Sequence, residues 1–194
     1  VLIEQCYYIN FEQTSDYMHQ MKQCTTMGNY DLLEQLLQKC ANLPDFQYGV
    51  GKQAYTYQQG VVQLKKYKNA AKALEYFNEA LRTFSLMDET GSERLHIFTI
   101  EEIGINTDKA TCLFTLGQRQ EAIELLTTSV ESRLANYENV ETLHILRAYF
   151  YLAQFYLQEK NYVKCIEIAT KGINLSNCKF VYIYAGDLNA TKAT

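Results

Sequence analysis

Between Tyr149 and Ile173 the chain reads YFYLAQFYLQEKNYVKCIEIATKGI, two amphipathic runs joined by a short polar connector. Tyr149, Leu152, Ala153 and Tyr156 recur at the i, i+3, i+4, i+7 spacing of one helical face, and Tyr162, Cys165, Ile166, Ala169, Gly172 and Ile173 do so in the second run. The connector QEKN supplies Asn161, a residue type that tolerates the left-handed backbone of a helix end. The spacing predicts an antiparallel helical hairpin. Ala153, Cys165, Ala169 and Gly172 are small residues on its apolar stripe, which lets the two backbones approach closely. A lone hairpin cannot bury such a stripe, so the pattern has to repeat if the chain is to have a core.

It does repeat. The turn-plus-small-residue pattern stands at 27–40 (MGNYDLLEQLLQKC), 67–81 (YKNAAKALEYFNEAL), 115–130 (TLGQRQEAIELLTTSV) and 159–173 (EKNYVKCIEIATKGI). Aligning the second helices makes Leu33, Ala73, Ala122 and Cys165 equivalent, at separations of 40, 49 and 43 residues. Twelve residues before each anchor stands Met21, Val61, Ala110 or Ala153, all small or apolar, as close packing within a hairpin requires. Breaks fall at NLPDF around Pro44, at MDETGSE and at LANYENVE, and Gly117 is placed to end a helix. The expected hairpins are 15–42, 46–86, 93–135 and 139–177, with a fifth first helix beginning at 180 and carrying Phe180, Val181, Ile183, Tyr184 and Leu188.

Composition excludes several classes of function. A single proline among 194 residues suits long uninterrupted helices, and 47% hydrophobic with 21% charged residues is a globular composition. The net charge of -4 gives no general attraction to a phosphate backbone, so this chain by itself is not expected to bind nucleic acid. There is no apolar run of membrane-spanning length and no basic-then-apolar leader, and the expectation is a cytoplasmic protein with no membrane contact. Cys6, Cys24, Cys40, Cys112, Cys165 and Cys178 are widely spaced and lie mostly on apolar stripes, which points to reduced, buried thiols.

On YFYLAQFY, ALEYFNEAL and QEAIELLTTSV the chain resembles tetratricopeptide (TPR) repeats, whose first helix carries an aromatic, a leucine-small pair and a second aromatic. The resemblance implies an all-α fold, a TPR-like right-handed superhelix of stacked antiparallel helical hairpins. The spacing here exceeds that family's period of about 34 residues. Longer repeats of this kind, TIEEIGINTDKATCLFTLGQRQEAIELL followed by YFYLAQFYLQEKNYVKCIEIATKGINLS, resemble the regulatory domains of Rgg/PlcR-type transcriptional regulators that respond to peptide pheromones. That resemblance implies a domain sensing a short linear signalling peptide, dimerising through its C-terminal repeats, using no cofactor, and reaching DNA only through an N-terminal domain absent from this chain. Residues 1–13 would then be the remnant of a linker after that domain, the sensing domain would span 14–194, and the chain would be an excised fragment. The alternatives are a TPR scaffold binding a protein partner and a fragment of a Rap-type peptide-regulated phosphatase.

Catalytic signals are weak, and no enzyme activity is expected. His19, His96 and His144 lie on different hairpins without ligand-like spacing. GVGKQ at 49–53 lacks the earlier glycine, the following Ser/Thr and the preceding strand of a phosphate loop. Glu101 and Glu102 diverge by about 100° on a helix and read as part of a solvated face. Stacked hairpins curve and line a concave groove with their first helices, a suitable bed for an extended peptide. The candidates beside the packing stripe are Tyr55, Gln58 and Val62 on the second hairpin, Thr107, Thr111 and Phe114 on the third, and Arg147, Phe150, Tyr151 and Gln154 on the fourth. Asn106 lies on the stripe itself, with Ile103, Ala110 and Leu113, where an amide must find a partner. It is either a clamp for the peptide backbone, as asparagines on these helices are in the pheromone receptors, or a structural amide tying two helices together.

Overall fold

The computed structural model describes residues 11–83, 99–134, 142–179, 182 and 184–193. The junction MDETGSE and all of LANYENVE after Leu134, as well as Cys6, His96, Phe180, Val181 and Ile183, lie outside them. Among the described residues the regular structure is helical throughout, and the fold is an all-α helical repeat. The chain divides into two compact units, Val1–Gly91 and Ser92–Thr194.

In the first unit, α1 (Phe11–Met27) and α2 (Tyr30–Cys40) form one hairpin. A 3-10 turn at Pro44–Phe46 leads to the second hairpin, α3 (Gly49–Lys65) and α4 (Ala70–Arg82), and α3 packs on α1 and α2. In the second unit α5 (Ile100–Thr115) pairs with α6 (Arg119–Leu134), and α7 (Thr142–Gln158) with α8 (Tyr162–Lys179). There α7 packs against both α5 and α6, and α9 (Ala185–Ala193) against α7 and α8, as the first helix of a further hairpin would. The helix α1 starts at Phe11, so the last residues expected as linker are already helical.

The anchors set the core. Leu33, Ala73, Ala122 and Cys165 are buried, and so are Met21, Val61, Ala110 and Ala153 twelve residues before them. Two glycines receive side chains from the facing helices. A Cβ on Gly60 would overlap the ring of Phe77 across the second hairpin, and one on Gly172 would lie 2.8 Å from Leu188 Cδ1 and 3.2 Å from Tyr149 Cβ. Burying a side chain as large as Phe77 contributes about 3 kcal/mol. Of the glycines of GVGKQ, Gly51 serves packing, since a Cβ there would overlap the Asp45 carbonyl, whereas Gly49 takes a left-handed φ of 61°. Four of the cysteines (Cys24, Cys40, Cys112, Cys165) are buried free thiols, whereas Cys178 is exposed.

Each hairpin turns on one left-handed residue followed by the residue that starts the next helix. The left-handed residues are Gly28, Lys68, Gly117 and Lys160, with φ of 71°, 54°, 88° and 58°. In three turns the amide of the left-handed residue bonds three residues back and the next amide five back, as in Asn161 N–H to the Tyr156 carbonyl at 2.9 Å, the Schellman arrangement. In the second turn one extra residue is accommodated, and the Asn69 amide reaches the Gln63 carbonyl instead. Asn29, Asn69 and Asn161 then cap the second helices, each side-chain oxygen accepting from the amide three residues on. This corrects the expectation for Asn161: Lys160 takes the left-handed backbone, because Asn161 is needed as the cap.

Two further expectations change. The buried stripe of α8 is Cys165, Ile168, Ala169, Gly172 and Ser176, while Tyr162 and Ile166 point outward at 54% and 45% exposure. The face toward α7 is rotated slightly from the one read off the sequence, and Ile168 takes the place given to Ile166. Glu102 is not on a solvated face. It is buried and closes a capping box, accepting from the Thr99 amide at 2.7 Å while Thr99 Oγ1 accepts from the Glu102 amide at 3.1 Å.

Candidate functional site

The candidates divide between the units, Tyr55, Gln58 and the buried Val62 falling in the first and the other eight in the second. Gln58 is buried, and its Oε1 accepts from Thr25 Oγ1 on α1 at 2.7 Å, which ties the two first helices together. Tyr55 is half-buried with its ring 6.1 Å from that of Phe46, and burial raises its phenol above the ordinary range.

In the second unit the repeat packs α5 and α7 alongside each other. Thr107, Thr111 and Thr115 each donate to the carbonyl four residues back, at 2.7, 2.9 and 2.8 Å. A threonine bonded in this way offers its remaining lone pairs as an acceptor. Thr107 is fully buried and Thr111 half-buried, so of the two only Thr111 is reachable from solvent. Arg147 Nη2 lies 2.6 Å from Asp108 Oδ2, joining α7 to α5, and the two side chains are only 19% and 3% exposed. The same nitrogen is 3.5 Å from the Gly104 carbonyl. Gln154 Nε2 donates to Thr191 Oγ1 on α9 at 2.7 Å, which directs the amide nitrogen inward and leaves Oε1 as an acceptor.

Aromatic rings fill the rest of this face. Phe150 stacks on Tyr184 at 5.8 Å and meets Tyr151 edge-on at 5.4 Å. Tyr151 lies 6.4 Å from Phe155, which stacks on Phe114 at 4.2 Å, and the Arg119 guanidinium lies over Phe114 at 5.4 Å. Burial raises the Tyr184 phenol, an effect opposed by the positive charge of Arg147.

Asn106 is fully buried. Its Nδ2 donates to Ser129 Oγ on α6 at 3.0 Å, and that hydroxyl donates to the Leu125 carbonyl at 2.7 Å. The geometry is that of an amide tying the two helices of one hairpin. Counting four residues back from Met21, Val61, Ala110 and Ala153 gives Tyr17, Tyr57, Asn106 and Tyr149, and counting seven on from the second-helix anchors gives Cys40, Ala80, Ser129 and Gly172. The third hairpin thus replaces an aromatic set against a small residue by an amide set against a hydroxyl. That joint departure was readable in the sequence, but only with Ser129 considered beside Asn106. Asp108, the partner of Arg147, had no comparable signal.

Among the described residues no cluster of three or more His, Cys, Asp or Glu side chains is arranged to hold a metal ion, and no helix is long and apolar enough to cross a membrane.

The stacked helical hairpins have counterparts among solved structures. Kinesin light chain nearly identical TPR-like repeats from Podosopora anserina superpose with a TM-score of 0.58 at 16% identity, over 95% of this chain and 84% of that one. The fold is a TPR-like repeat. A second structure of those repeats gives a TM-score of 0.62 at 15% identity over 93% and 84% of the two chains. MamA from Desulfovibrio magneticus RS-1 gives 0.50 at 16% identity over 93% and 89%. No family model matches the sequence, nor does any curated protein.

Proposed function

We propose that the second unit binds a short linear peptide across the outward face of α5 and α7, and that the chain is the peptide-sensing domain of a transcriptional regulator of the Rgg/PlcR type. The observation that carries the binding reading is the combination on one half-buried face of backbone-type acceptors, Thr111 Oγ1 and Gln154 Oε1, with the rings of Phe150 and Tyr151. The acceptors suit the N–H groups of an extended peptide, and the rings suit its side chains. Arg147, held by Asp108, gives the face a fixed guanidinium. Asn106 and Thr107 act behind this surface by positioning α5. In this reading the domain is cytoplasmic, acts on DNA through a separate N-terminal domain, and self-associates near the exposed Tyr182.

A scaffold for a folded protein partner is the second reading, and the exposed Tyr162, Val163 and Ile166 on α8 favour it. Titration with a library of unmodified short peptides, followed by fluorescence anisotropy, separates the two. The sensor reading expects Phe150→Ala to weaken the best peptide about tenfold, roughly 1.4 kcal/mol. It also expects Val163→Ser to have no effect. Affinity unchanged by Phe150→Ala removes this face as the site.

A further inference from the structure

The first unit contains a cavity of about 270 Å³ in the valley between the second helices α2 and α4, with α3 as its floor. Its walls carry two polar columns. On α3, Tyr55, Gln59 and Gln63 are spaced four residues apart; on α2, Glu34 and Gln38 have the same spacing. Between the columns lie the apolar Leu37, Ala41 and Val62. No hydrogen bond engages the side chains of Gln38, Gln59 or Gln63 among the described residues, although Gln59 and Gln63 are partly buried.

Two physical features narrow the ligand. Four residues of helix rise about 6 Å, while two residues of an extended chain advance about 6.7 Å, a mismatch that long glutamine side chains absorb. Amides on this spacing can therefore meet every second residue of a strand laid along α3. Each primary amide brings two donors and an acceptor, which complement the C=O and N–H of a peptide backbone. The one carboxylate in the cavity is already committed, since Glu34 Oε2 takes Lys66 Nζ at 2.7 Å and Oε1 takes the Tyr67 hydroxyl at 2.8 Å. What remains for a ligand is neutral.

We infer that this valley is a separate binding site for an extended, uncharged peptide segment. Gln38, Gln59 and Gln63 hydrogen-bond its backbone, and alternate small apolar side chains rest on Leu37, Ala41 and Val62. The site is on a different unit from the face proposed above and does not depend on it.

The probe is the capped tetrapeptide Ac-Gly-Val-Gly-Val-NH2, titrated to millimolar concentration into the full chain with its glutamine side-chain amides labelled with nitrogen-15. The side-chain resonances of Gln38, Gln59 and Gln63 should shift together, while that of Gln58, already bonded to Thr25, should not. Gln59→Ala with Gln63→Ala should weaken binding about tenfold with the thermal midpoint preserved, because alanine is the better helix former. If that pair destabilises the chain, the exposed Gln38→Ala on the opposite wall provides the same reading. Affinity should hardly change between about 0.05 and 0.5 M salt, since no ligand charge is being read. Absence of shifts, equal affinity in the glutamine variants, tighter binding of Ac-Glu-Val-Glu-Val-NH2, or larger shifts with methyl α-glucoside than with the tetrapeptide would each overturn the inference.

Discussion

The two units join one hairpin to the next in opposite ways. In the first, the ion pairs stay at the rim, Lys66 Nζ lying 2.6 Å from Asp31 and 2.7 Å from Glu34 with Asp31 81% exposed, while the buried carboxylate of Asp45 accepts from the neutral Thr14 hydroxyl at 2.6 Å. The first helices of its two hairpins are joined by the neutral bond from Thr25 to Gln58. In the second, the Asp108–Arg147 pair sits between α5 and α7 nearly out of water, and the rim contact, Arg119 to Glu159 at 2.7 Å, has its polarity reversed. The same backbone repeat therefore tolerates charge in either place, but at different risk. An exposed pair contributes little and is screened by salt, whereas a buried pair is costly to break because the surviving partner is left unpaired.

The sharpest way to break this comparison is at Arg147. Arg147→Met should destabilise the chain by about 3–5 kcal/mol, and pairing it with Asp108→Leu should restore most of that loss. Chemical denaturation of both variants reads the difference, and a small loss in the single variant would mean that the pair is solvated.

The amide tie of the third hairpin is next in size. Asn106→Ala should lower stability by about 1 kcal/mol whether or not a peptide is present, because it removes the Nδ2 donor to Ser129 but also an Oδ1 that is buried without a partner among the described residues. Asn106→Leu with Ser129→Ala removes both polar partners and should come much closer to the wild type in thermal unfolding.

The caps distinguish the turns more finely. Asn29→Ala, Asn69→Ala and Asn161→Ala should each cost about 1 kcal/mol, while Gln118→Asn, which installs the cap that the other three turns possess, should stabilise the third hairpin. Hydrogen exchange in the first turn of each second helix reports the change locally.

The smallest effect belongs to the rim of the first unit. Hydrogen bonds from Lys66 and Tyr67 hold the Glu34 carboxyl below its usual range. A depressed folded pKa stabilises above the ordinary glutamate value near ~4.3, and the contribution fades as pH falls through the lower folded value. The difference between wild type and Glu34→Gln in thermal midpoint should therefore be present at neutral pH, shrink in acid, and diminish in about 0.5 M salt.

The hairpin register was legible in the sequence because small or apolar residues twelve positions apart on either side of a turn mark where two helices pack closely. Leu33, Ala73, Ala122 and Cys165 needed no partner to be named before they could be recognised. Polar roles were harder, since an amide's function depends on what faces it. Gln58, Asn106 and Gln154 looked alike as candidates beside or on a stripe, yet each is bonded to a different neighbouring helix. Gln59 and Gln63 carry no signal in the sequence, although they line a cavity, because that cavity exists only where two second helices stand apart. Tyr162 and Ile166 were misplaced by a small rotation of α8, which a periodicity of 3.6 does not fix to the residue.

The four turns have a consequence for how far this protein could be improved. Lys68 and Lys160 are exposed and adopt the same left-handed backbone as Gly28 and Gly117, at a steric cost of roughly 1–2 kcal/mol for a residue bearing a Cβ. Glycine would remove that cost and surrender about 0.5–1 kcal/mol to the greater freedom of the unfolded chain. The balance is a small gain at each turn, with no core side chain changed. The chain thus stands below the stability that its own repeat permits, and half of its turns already contain the residue that would close the gap.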